Sequence, residues 1–194
     1  MLDIGCNDGT LTREFRAALL SKGGASKVEA FGVDIDADLI ARGQRMYSAD
    51  EVQLVADDVA AHDHEAQIVS TAKAYDLVTC FGVTMWVHLN YGDEGLLRLL
   101  RRLAHCTRGS LVIEPQLWKS YKNAKRRLRR AGANIPESFV SIGVGSQEEL
   151  DEMVHCALSS HFTGHTKLGT TANWGRNVWE YFDHSSDEAS LGGE

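Results

Sequence analysis

The chain has 194 residues, 43% of them hydrophobic and 24% charged, enough for one α/β domain with a sizeable core. No apolar run approaches the ~20 residues of a membrane span, no signal-peptide pattern opens the sequence, and the 4 cysteines lie far apart without CxxC spacing, which argues against a structural zinc site. The net charge of −7 argues, as an average, against a nucleic-acid partner, but the charge is distributed unevenly.

The chain opens on Met1-Leu-Asp-Ile-Gly-Cys-Asn-Asp-Gly-Thr10. Leu2 and Ile4 alternate with Asp3, Gly5 and Gly9 bracket a tight turn, and 10–20 has amphipathic helical spacing. Strand, glycine turn and helix N-terminus together offer free N–H groups to a polar or anionic ligand. Residues 28–33 read as a second buried strand, ending at Asp34-Ile-Asp36, and 37–47 as a helix. A third strand, 52–55, ends at Asp57-Asp58, and helical material spans about 60–71. A fourth strand covers 75–81, a long helix 92–108, a fifth strand 110–113 and a helix 118–131. Residues 139–144, a helix from about 147 and a strand at 177–182 complete the set, and the acidic, Ser/Gly-rich tail 183–194 reads as disordered.

Strands alternating with helices predict a mostly parallel sheet, seven-stranded, with helices on both faces. In such sheets ligands bind beyond the carboxyl ends of the strands, so the loops at Gly5, Asp34, Asp57, Phe81 and Glu114 share one rim. Asp34 sits where an acid accepts both hydroxyls of a ribose. The turn Gly5-Cys-Asn-Asp-Gly9 is not the usual dinucleotide cradle, and Asp8 would repel a pyrophosphate. Acidic groups suit instead a sulfonium and an ammonium, which Asp3 and Asp8 would help to neutralise. Asp57 or Asp58 is placed to accept from an adenine amino group. The set points to a class I, Rossmann-like fold that binds S-adenosylmethionine and releases S-adenosylhomocysteine. Cofactor candidates are Asp3, Gly5, Asn7, Gly9, Asp34, Ile35, Asp57, Asp58, Val59 and Phe81.

The run Cys80-Phe-Gly-Val-Thr-Met-Trp-Val-His-Leu-Asn90, with Gly92-Asp-Glu-Gly95 and Glu114-Pro-Gln-Leu-Trp-Lys119, resembles the bicoid-interacting family of RNA 5′-phosphate methyltransferases. The resemblance runs from Leu2 to about Gly132 and continues weakly to Phe182. The basic run 119–130 looks more like the branch acting on monophosphate ends than the small nuclear RNA capping branch. It implies one methyltransferase domain over 1–182, transfer of methyl to a 5′-terminal phosphate oxygen, and a small RNA partner: a tRNA, precursor microRNA or small nuclear RNA. The sequence departs from the family at Leu117, where proline is usual, and at Gly82, where serine is common. Met1 also lies already in the first strand, where members carry a preceding lid segment.

Projected at about 100° per residue, helix 118–131 puts Leu117, Tyr121, Ala124, Leu128 and Ala131 on one face. Lys119, Lys122, Arg126, Arg127, Arg129 and Arg130 cover the other. Seven of the 20 Lys and Arg residues fall within 119–130 with no acid between them, the pattern of a phosphate-tracking surface. Lys119 and Lys122 start nearest the rim and suit the terminal phosphate; the later arginines suit the RNA backbone. His88 with Asn90 is the catalytic candidate, as positioner rather than obligatory base. Trp86, Glu114, Gln116 and Trp118 complete the substrate side. The remaining histidines show no metal spacing. The expectation is a monomeric, cytoplasmic or nuclear enzyme without a metal or membrane partner. Its rivals are γ-phosphate capping of a small nuclear RNA, a catalytically weak RNA-binding module, and a small-molecule methyltransferase.

Overall fold

Leu2, Asp3 and Ile4 are all buried, because the strand they form has a partner on each side. This is β1 (Leu2–Ile4), in a computed structural model that describes residues 1–61, 67–132 and 135–183. The other strands are β2 (Phe31–Asp34), β3 (Gln53–Ala56), β4 (Tyr75–Phe81), β5 (Thr107–Glu114), β6 (Gly164–Thr170) and β7 (Asn177–Phe182). They form one seven-stranded sheet in the order β3-β2-β1-β4-β5-β7-β6. The first five run parallel, and β7 is antiparallel to both β5 and β6. The order reverses between β1 and β4, and a crevice opens there beyond the strand ends.

Successive strand residues point to opposite faces. Val78 and Cys80 therefore join one hydrophobic cluster while Leu77 joins the other. Helices α1 (Thr10–Ser21) and α2 (Ala37–Met46) bring Phe15, Leu19 and Ile40 to the smaller cluster. The larger one takes α4 (Thr84–Cys106), α5 (Trp118–Arg130) and α7 (Gln147–Ser159), with single turns α3 (Gln67–Ser70) and α6 (Glu137–Val140) between them. In α4 the side chains of Leu96, Leu99, Leu100 and Leu103 are fully buried. Each contributes roughly 1.5–3 kcal/mol of transfer free energy. Leu97, between them in sequence, is half-buried.

The structure corrects the predicted elements in four places. Residues 139–144 are no strand: Pro136 opens the α6 turn with φ −53°, Phe139 plugs the core, and the chain then runs irregularly. The seventh strand is instead β6, whose Gly-His-Thr-Lys-Leu-Gly-Thr sequence has no buried stripe because it lies on the sheet edge. Residues 84–90, expected as a loop, form the first part of α4. Gly92 then breaks that helix with φ 66° and ψ −169°, a conformation open essentially to glycine alone. Of the helix expected over 60–71, only Gln67–Ser70 is helical among the described residues, and Ala60 lies in a turn. The tail from residue 184 lies outside the described residues.

Candidate active site

A cavity of about 490 Å³ opens at the carboxyl ends of β1–β4. Its floor is the glycine turn. Gly5 has φ 74°, and a Cβ there would stand 2.1 Å from Val83 Cγ2, so only glycine lets the turn tuck under the start of α4. Asn7, also at positive φ, donates its backbone N–H to Asp34 Oδ2 at 2.9 Å. Asp34 Oδ1 accepts the N–H of Asp36 at 2.9 Å. Asp34 is thereby fixed with acceptor capacity to spare. Asp36 caps α2 by accepting the N–H groups of Asp38 and Leu39.

Val33, Ile35, Leu39, Val59 and Phe81 supply apolar wall, with Phe81 stacked on Phe15. Asp57 and Asp58 close the side towards β3, and Trp86, Val87, Asn90 and Tyr91 come down from α4. Asp58 accepts the N–H of Ala60 at 3.0 Å and the phenol of Tyr91 in a short hydrogen bond. That bond is the main cause pushing the Tyr91 phenol above its ordinary range. Four carboxylates line the cavity and, among the described residues, no lysine or arginine does.

The predicted residues divide accordingly. Gly5, Asn7, Asp34, Ile35, Asp57, Asp58, Val59, Phe81, Trp86 and Asn90 meet on the cavity. Asp3 does not reach it. Its carboxylate lies beneath, accepting from Thr12 Oγ1 at 2.5 Å and Thr79 Oγ1 at 2.6 Å. Burial pushes its pKa up against those two hydrogen bonds. Gly9 faces Leu54 instead, and Asp8 is spent on Arg42 Nη2 at 2.6 Å.

His88 is corrected from substrate positioner to buried strut. It is 0% exposed, with Nε2 2.6 Å from Asp93 Oδ1 and Nδ1 3.1 Å from the Tyr121 hydroxyl. Burial lowers its pKa, outweighing the opposing pull of Asp93. Burial favours the neutral ring, and in that form Nε2–H donates to the Asp93 carboxylate while Nδ1 accepts from the Tyr121 O–H. Asn90 keeps its place on the wall, its amide donating to Trp86 O at 2.7 Å.

Gln116 is likewise a strut. It accepts from Thr84 Oγ1 and Met85 N–H, both at 2.9 Å, and donates to Gly82 O. Glu114 is buried against Arg176. Trp118 packs on Tyr121 at 4.9 Å, and its buried Nε1–H has no acceptor among the described residues.

α5 carries its cations as the sequence projects. Tyr121 and Ala124 are buried, while Lys119, Lys122, Arg126, Arg127, Arg129 and Arg130 lie on the opposite, solvent-facing side. Among the described residues none of these six has an ion-pair partner. The helix starts beside the rim and leads away from it. Sequence reasoning missed Tyr91, Val87, Leu39 and Asp36 on the cavity, and Trp174 and Arg176 beside it. Tyr91 directly follows the 80–90 motif and Asp36 ends the acidic turn of β2; the others carried no pattern of their own.

The sequence profile described as Bicoid-interacting protein 3 (Bin3) matches residues 75–182, more than half of the chain. The chain belongs to the Bin3 family. A general methyltransferase-domain profile matches residues 2–109, the half that builds the cavity floor. The Bin3-family chain is 37% identical over 158 residues to a pre-miRNA 5′-monophosphate methyltransferase of Danio rerio, covering 74% of the chain and 61% of that relative. It is 48% identical over 65 residues to the 7SK snRNA methylphosphate capping enzyme of Mus musculus, covering 32% of the chain and 10% of that relative. The chain thus spans about three fifths of the first relative's length. Among solved structures, magnesium protoporphyrin IX methyltransferase from Synechocystis PCC 6803, determined with bound SAH, aligns with a TM-score of 0.56. The identity is 14%, over 94% of this chain and 73% of that one. That likeness establishes the class I methyltransferase fold.

Proposed function

We propose that the chain binds S-adenosylmethionine in this cavity and methylates the 5′-terminal phosphate of a small RNA, a monophosphate end by preference. The observation that carries the reading is an abrupt reversal of charge at one rim. The cavity is lined by Asp34, Asp36, Asp57 and Asp58 with no cation among the described residues, and beside it starts a helix whose solvent-facing cations have no acidic partner among them either. Four carboxylates would repel a dinucleotide's pyrophosphate and favour a cofactor that is itself cationic. Asp34 is held with acceptor capacity for ribose hydroxyls, Ile35, Leu39 and Val59 suit a flat purine, and the Gly5 turn brings backbone close to a methionine moiety.

When bound, the cofactor supplies an electrophilic methyl group on a sulfonium. The protein's own part is to position the acceptor. A phosphate oxygen is already anionic, with a second pKa of about 6, so it needs no strong general base. The burial of His88 therefore does not disable the site. Trp86 and Asn90 shape the mouth, and the cations of α5 hold the RNA over it.

The preference for a monophosphate end follows the Danio rerio relative; the shorter stretch shared with the 7SK capping enzyme makes a triphosphate end the second reading. The test is transfer of a labelled methyl group to one hairpin RNA made with hydroxyl, monophosphate and triphosphate 5′ ends. Labelling of the monophosphate RNA is the expected result. Labelling of the triphosphate RNA alone would support the second reading. RNA binding without labelling of any form would identify a binding module with a methyltransferase fold.

A further inference from the structure

The sheet carries a further cation to the rim, on the segment that enters β7. Because β7 is antiparallel to β5, pairing Ile113 with Trp179, the residues just before Asn177 lie at the rim end of β5. Arg176 is there. Its Nη1 is 3.1 Å from Glu114 Oε2, and its guanidinium carbon sits 5.0 Å from the centroid of the Trp174 ring. Between it and the cavity stands Gly82, which lines the cavity and has no side chain. A Cβ at Gly82 would come 3.4 Å from Arg176 Nη1 and 3.8 Å from Glu114 Oε2.

Two features set this arginine apart from a structural ion pair. First, Glu114 occupies only one edge of the guanidinium, and the Nε and Nη2 hydrogens have no acceptor among the described residues. Second, the pair is largely buried, with side chains 17% and 8% exposed. Desolvating two charges is often no better for stability than an apolar pair of the same volume. A planar fork with one edge tied and one face stacked is instead preorganised for a second, bidentate anion.

We infer that Arg176 binds the 5′-terminal phosphate of the RNA, with Glu114 and Trp174 fixing its attitude, an inference that rests on the proposed function for the nature of the anion. Arg176 donates from Nε and Nη2 to oxygens that do not attack, leaving the attacking oxygen its lone pair. Glu114 engages Nη1 alone, at 3.1 Å, so the donors left for the phosphate are those on Nε and Nη2. The α5 cations then track the chain further along.

The test measures both the affinity of the full chain for matched monophosphate and hydroxyl hairpin RNAs and labelled methyl transfer to the former. Arg176→Ala leaves Glu114 uncompensated, so the neutral double variant Glu114→Gln with Arg176→Gln is measured beside it. Calorimetric affinity for S-adenosylhomocysteine reports an intact cofactor cavity. The expected result is a roughly 10- to 100-fold lower kcat/KM on monophosphate RNA, the range for removing one charged hydrogen-bonding group. The wild-type preference for monophosphate over hydroxyl RNA also disappears, while affinity for the hydroxyl form is unchanged. A double variant that binds the product cofactor and keeps both the preference and the rate would overturn the inference. If the wild type transfers methyl to neither the monophosphate RNA nor the matched triphosphate RNA, measured alongside it, the proposed function fails. Arg176 then still stands if the wild type prefers the phosphate end and the double variant does not, and falls if the wild type shows no preference.

Discussion

A neutral histidine between a phenol and a carboxylate has a thermodynamic consequence that separates it from a surface residue. His88 joins α5 through Tyr121 to the second part of α4 through Asp93, which in turn accepts the N–H of Gly143 at 3.0 Å. Burial holds its folded pKa below the ordinary value. The unfolded chain takes up a proton on this ring near pH 6.5. Below that pH the unfolded state binds more protons than the folded one, so stability is full above about pH 6.5 and declines as the pH falls. His88→Gln keeps a donor towards Asp93 and cannot take up a proton. Urea unfolding followed from neutral pH to pH 5 should show a smaller acid loss in this variant than in the wild type. His155, also lowered by burial and by His165, contributes equally to both proteins and cancels in the comparison. Identical pH slopes would mean that His88 is not buried neutral.

At the scale of elements, α5 and α4 differ in how far their own sequence specifies them. α5 contains its whole argument: apolar Tyr121 and Ala124 at helical spacing, cations on the other face, and no ion-pair partner for those cations among the described residues. Arg126→Ala with Arg129→Ala should therefore leave stability within about 0.5 kcal/mol. It should weaken RNA binding and flatten the plot of log affinity against log salt by about 0.7–0.9 for each phosphate no longer neutralised. An unchanged slope with weakened binding would show that the two arginines act on shape and not on charge. α4 is specified from outside. Its first turn is tied by Gln116, which accepts the Met85 N–H from 31 positions away. No local capping residue marks that start, and the run reads as a loop. The same holds for β6, an edge strand set by pairing with β7 rather than by a hydrophobic stripe. The cavity floor was legible because glycine turn, Asp34 and the Asp57-Asp58 pair each end a strand, and parallel strands end together. Arg176 and Trp174 were not, because only the antiparallel return of β7 carries them to that rim.

Over the whole molecule, a chain with net charge −7 lines its cavity with four carboxylates and sets an uninterrupted run of cations on the adjoining helix. The two fields attract opposite ligands, and the sheet order β3-β2-β1-β4-β5 brings them side by side. Because β1 lies at the centre and Asp34 is bonded to the turn that follows it, a ligand on Asp34 stabilises the middle of the sheet and not a peripheral loop. A ligand that binds only the folded state raises its stability by RT ln(1 + [L]/Kd), about 2.7 kcal/mol at 100 times Kd. For a domain of this size that is a rise in Tm of roughly 5–10 °C. S-adenosylhomocysteine at saturation should produce such a shift. Asp34→Ala removes both the proposed ribose acceptor and the anchor of Asn7, and should abolish it while the variant still unfolds cooperatively. Arg126→Ala with Arg129→Ala, far from the floor, should retain it in full. A shift preserved in Asp34→Ala would place the cofactor elsewhere. A shift abolished in the α5 variant would show that cavity and helix are energetically coupled rather than merely adjacent.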